Sequence, residues 1–132
     1  MTYNFIITNE GKKIVNNRVF KPVPDYNAVS QFKVGIDQTT PQITDTDLGT
    51  AVEITAGVYF KDIDSTSPEI DEVNSEVTIT TFLNSAQADG NNLNAIGLFN
   101  DDATEKLFCT VTHEEESKSD TDEFSYSLIF RR

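Results

Sequence analysis

A period of two dominates this chain and limits what it can fold into. Phe124, Tyr126, Leu128 and Phe130 are spaced by Ser125, Ser127 and Ile129, as in a strand with one buried face. Ile54, Ala56, Val58 and Phe60 alternate likewise with Thr55, Gly57 and Tyr59. Val73, Ser75, Val77 and Ile79 form a third run, with Thr78 and Thr80 opposite. Leu107, Cys109 and Val111 form a fourth, opposite Phe108, Thr110 and Thr112. β-Branched and aromatic side chains suit a pleated surface, and Thr gives faces that tolerate water. Turn-forming residues separate the runs at 62–68, 88–92, 100–102 and 114–122. Short strands joined this way pair antiparallel and bury one face against a second sheet. The expected fold class is mostly β, an antiparallel, jelly-roll-like β-sandwich with one or two short helices.

Helical signals are few. Asn9 is placed to cap a helix over 11–18 that buries Ile14 and Val15 and stops before Pro22. Asp45 or Thr46 is placed to cap a short turn starting near Leu48. At 132 residues, the expectation is a single β-sandwich domain over 1–132, large enough to bury a core.

Charge narrows the partners. Lys and Arg number 10 against 22 Asp and Glu, a net charge of −12. Nucleic acid and anionic membranes both need basic patches, so neither is expected as a partner. The excess is one-sided. Residues 1–61 hold six basic and six acidic side chains, whereas residues 62–132 hold four and sixteen. Such acidic runs ordinarily make a solvated face. The first residues lack a basic segment and have only the apolar run Phe5-Ile6-Ile7, so no signal peptide is expected. No stretch approaches the ~20 apolar residues of a membrane-spanning helix.

No constellation of catalytic residues emerges. The lone Cys109 permits no disulfide within the chain, and with His113 as the only histidine a His/Cys zinc cage is excluded. Cys109 shares a face with Leu107 and Val111, where a thiol acts as a small hydrophobe. His113 precedes Glu114-Glu115-Glu116, but neighbours in a strand point to opposite faces, which separates His113 from Glu114. Asp62-x-Asp64-x-Thr66 opens like a calcium loop, yet Ser67 and Val73 stand where an EF-hand needs Gly and a bidentate Glu. A looser calcium site would draw on Asp62, Asp64 and Asp71, or on Asp120 and Asp122. The glycines form neither a dinucleotide nor a phosphate-loop motif, so no cofactor is expected. With no Trp, an aromatic sugar platform would rest on Tyr26 and Tyr59.

The order of segments carries more. Ser30 to Ile36 reads as a strand ending at Gly35, followed by the Thr- and Pro-rich stretch Asp37-Gln38-Thr39-Thr40-Pro41 and by Asp45-Thr46-Asp47-Leu48. Later come Ala95-Ile96-Gly97-Leu98-Phe99-Asn100, Lys106-Leu107-Phe108 and the closing alternating strand. From Phe32 to Phe130, with Asn9-Glu10-Gly11 also in keeping, this order resembles the small β-domains of bacteriophage tail, baseplate and tail-fibre proteins. Asp37 stands where such domains usually have a second Gly, and Ala95 where an acidic residue is common.

The resemblance implies a non-enzymatic virion protein of the tail region. It would be made in the host cytoplasm and assembled as a symmetric oligomer with copies of itself and other virion proteins. It brings no catalytic residues. The extended stretch holding Thr39, Thr40, Pro41, Asp45 and Leu48 is the candidate assembly arm, an ordinary surface connection being the alternative. A β-sandwich binding module, recognising a host-surface glycan or decorating a capsid, is the second reading. An acidic mimic of nucleic acid that blocks a basic enzyme is the third.

Overall fold

A computed structural model describes residues 3–131. Its elements run β1 (Asn4–Ile7), α1 (Asn9–Phe20), β2 (Val29–Gly35), β3 (Lys61–Asp62), β4 (Glu69–Asp71), β5 (Glu76–Leu83), β6 (Asn91–Asn100), β7 (Leu107–Lys118) and β8 (Phe124–Arg131). The strands form two antiparallel sheets, ordered β1-β7-β6-β2-β3 and β4-β5-β8. The protein is mostly β, a sandwich with one short helix. Phe32, Val34, Ile96, Leu98, Cys109 and Val111 of the larger sheet meet Ile79, Leu83 and Leu128 of the smaller one. Alternation in β8 is as read from sequence: Phe124, Tyr126, Leu128 and Phe130 face inward and Ser125, Ser127 and Ile129 outward.

The far face of the larger sheet is also covered, by the connection between β2 and β3. Leu48 inserts there, its methyls 3.2–3.3 Å from where a Cβ would stand on Gly97 and Gly35. The close approach explains both glycines. Lys33 lies buried on this face, 3.1 Å from Asp47 and 4.4 Å from the Phe60 ring centre. No helix forms near Leu48; Asp47 instead accepts the Leu48 amide at 2.8 Å and Asp45 the Gln42 amide at 2.9 Å, closing local turns.

Helix α1 begins at Asn9, the residue expected to cap it, so its cap lies one residue earlier. Thr8, not Asn9, is the N-cap, accepting the Gly11 amide at 3.0 Å while donating to Leu107 O at 2.6 Å. A hydroxyl can do both, which lets one buried side chain cap the helix and tie it to β7. Ile14 is buried and Val15 only half-buried. The helix ends at Phe20, because Lys21 precedes Pro22 and adopts an extended conformation.

Three strand expectations need correction. Residues 54–60 form no ladder: Gly57, at φ +75°, turns the chain so that Val58 O accepts the Ile54 amide at 2.9 Å. Val73 is not in a strand but at the tip of the β4–β5 hairpin, 93% exposed, where Asp71 accepts the Val73 and Asn74 amides. β5 begins only at Glu76 and runs to Leu83. In β7, Leu98 pairs with Cys109 but Phe99 with Leu107, a bulge at Phe108 that turns Leu107 to the face opposite Cys109. β7 also continues through Glu114–Glu116, where a loop was expected, to Lys118. The Lys118 side chain is fully buried and paired with Asp89 at 2.6 Å, which anchors the strand end.

Candidate functional site

The side chains with reactive chemistry are engaged structurally. His113 is buried, with Nδ1 2.7 Å from Glu114 O and Nε2 2.8 Å from the Tyr126 hydroxyl. A carbonyl only accepts, so Nδ1 donates to Glu114 O, and Nε2 shares a hydrogen bond with the Tyr126 hydroxyl. Both ring nitrogens are thereby engaged within the fold. Burial first, then Glu116 and Tyr3, pushes the Tyr126 phenol well above its ordinary value, so it stays a donor. Burial likewise pushes the Cys109 thiol up to about 12.

Of the carboxylates considered for calcium, Asp62 ends β3, Asp64 and Asp71 serve separate turns, and Asp120 and Asp122 share the turn before β8. Asp64 accepts from Ser65 and Thr66, Asp71 from Val73 and Asn74, and Asp122 from Ser119. Among the described residues, no group of three His, Cys, Asp or Glu side chains is arranged to hold a metal. The ring of Tyr26 has the Lys106 ammonium 5.0 Å from its centre, which occupies a stacking face; Tyr59 is partly exposed in the loop before β3.

The residues of the candidate arm divide between core and surface. Pro41 and Leu48 are buried on the protein's own sheet and Asp45 is a turn cap. Asn9 N donates to Ile43 O at 2.8 Å, fastening the stretch to α1. Thr39, Thr40, the segment 42–44, Thr46 and Asp47 face outward.

A feature not read from sequence is the open side of the sandwich between β1 and β8. These strands end their respective sheets on the same side, with the Phe5 and Phe130 rings 5.7 Å apart. Three hollows run along the gap. At one end is a polar hollow of about 280 Å³ beside His113, Glu116, Glu123 and Tyr126. The middle one, about 290 Å³, shares Tyr3, Ser125 and Tyr126 with it and reaches the core residues Ile96 and Val111. The last, about 660 Å³ and mostly apolar, shares Phe5 and Ile129 with the middle one and is walled by α1, β5 and β8. Together they form one cleft, acidic at the Glu116–Glu123 end and basic at the Lys12–Arg131 end. Its sequence signals were Ile129 on an otherwise Ser-lined face and Val15 beside the buried face of α1.

Comparison of the chain with protein-family models, curated proteins and solved structures finds no match.

Proposed function

We propose that this chain is a non-enzymatic structural protein of a bacteriophage tail, baseplate or fibre, assembling as a symmetric oligomer with other virion proteins. The cleft between β1 and β8 carries the assembly part of this reading. It leaves part of the apolar interior within reach of solvent beside an unpaired strand edge, the arrangement that strand addition from a neighbour completes. The virion part rests on the resemblance in segment order from Phe32 to Phe130. Engagement of both His113 nitrogens and burial of Cys109 support a role without chemistry.

Light scattering on the purified protein, with calcium and with chelator, tests this. A discrete oligomer indifferent to calcium is the expected result. A monomer at all concentrations that binds cell-surface polysaccharide saturably would replace this reading with the binding-module one.

A further inference from the structure

Edge strands are usually guarded by brevity, charge, proline or a bulge. β1, β3 and β4 are short, at four, two and three residues. β8 lacks these guards over seven of its eight residues. It pairs with β5 through eight consecutive residues without a register shift, and no described strand pairs with its outer edge. From Phe124 to Phe130 it holds neither charge nor proline.

We infer that the partner of this edge is β8 of a second copy, joined antiparallel across a two-fold axis at Ser127 into one sheet, β4-β5-β8-β8-β5-β4. This rests on the assembly reading and names its contact. The sequence of β8 is self-complementary in that register. Ser127 meets Ser127 of the second copy, Tyr126 meets Leu128, Phe124 meets Phe130, and Glu123 meets Arg131. Inward residues face inward residues, and the charges at the two ends become opposite neighbours. Shifting by two residues would keep the faces but set Glu123 against Ile129, or Arg131 against Ser125, losing the pairing of charges. Arg131 uses only its Nε on Glu76, at 2.8 Å, and keeps other donors for the incoming Glu123. Tyr3, Phe5 and Ile129, exposed beside this edge, would be covered by the same contact.

Cysteine cross-linking tests the register. Facing residues of antiparallel strands have Cα atoms about 4.5 or 5.5 Å apart, and both values suit a disulfide. Ser127→Cys should therefore oxidise to a covalent dimer, whereas Ser125→Cys, which faces Ile129, should not; buried Cys109 stays silent. Sedimentation equilibrium supplies the second measurement. Arg131→Glu should weaken self-association about tenfold or more, by setting like charges opposite each other twice. The double variant Glu123→Arg/Arg131→Glu should restore it. An oligomer that persists without cross-linking at 127 and ignores the charge changes would overturn this contact and leave the assembly reading standing. A strictly monomeric protein would overturn both.

Discussion

Replacing Gly11 with Ala sets two effects against each other. Inside an exposed helix the change would favour folding by about 1 kcal/mol, because Gly loses more backbone freedom. Here the added Cβ would stand 2.1 Å from Phe108 O and 2.9 Å from Phe108 C, both backbone atoms of β7. Carbon and oxygen approach comfortably only to about 3.3 Å, so the helix would have to retreat by about 1.2 Å. Retreat pulls on the Thr8 hydroxyl, which holds Gly11 N at 3.0 Å and Leu107 O at 2.6 Å. Overpacking costs about 1–3 kcal/mol and a weakened cap about 1 more, against the 1 gained. The expected net loss is about 1–3 kcal/mol, or several degrees in Tm for a domain of this size. Urea denaturation followed by circular dichroism measures it. Gly49→Ala is the control, since its Cβ would meet only Gln38 Oε1 at 3.5 Å and should leave stability within about 1 kcal/mol. A Gly11→Ala protein as stable as its parent would refute the claim that close helix–strand contact requires this glycine.

Four further outcomes follow from the buried and paired groups. Asp89→Asn should cost about 3–5 kcal/mol by stranding the Lys118 ammonium, whose side chain is 0% exposed. Lys118→Met should cost less, about 1–3 kcal/mol, because the Asp89 it strands is 30% exposed; denaturant titration gives the order, and the reverse would be wrong for this account. The Glu10 carboxyl is held below its ordinary value of 4.5 by its hydrogen bond to Lys13 and then by Lys106. A depressed carboxyl stabilises above its unfolded value and loses that contribution as pH falls through the folded one. Glu10→Gln should thus lower stability by up to about 1 kcal/mol near pH 7, with the gap closing below pH 4.5 in parallel melts. Cys109, its thiol pushed up to about 12 by burial, should react with an aromatic disulfide reagent at neutral pH only at the rate of opening, accelerating in denaturant.

Sequence periodicity captured what depends on near neighbours. The alternation of β8, the inward Cys109 and the buried Ile14 follow from spacing, since a strand repeats every two residues and a helix every 3.6. It failed where a backbone device intervenes. Gly57 turns 54–60 back on itself, and the bulge at Phe108 parts Leu107 from Cys109. Glu114–Glu116 read as a loop by charge, yet pairing with β6 and the buried Lys118–Asp89 contact keep them in β7.

A mostly β chain with a core of alternating residues and an acidic second half is legible before folding, because pattern and charge are local or additive. Long-range packing sets Thr8 as the cap of α1, lays Leu48 over Gly35 and Gly97, and engages both nitrogens of His113. The same packing brings β1 and β8 to the ends of their sheets side by side over a cleft. Those facts depend on which distant segments become neighbours, and the order of strands in two sheets carries no trace in local spacing.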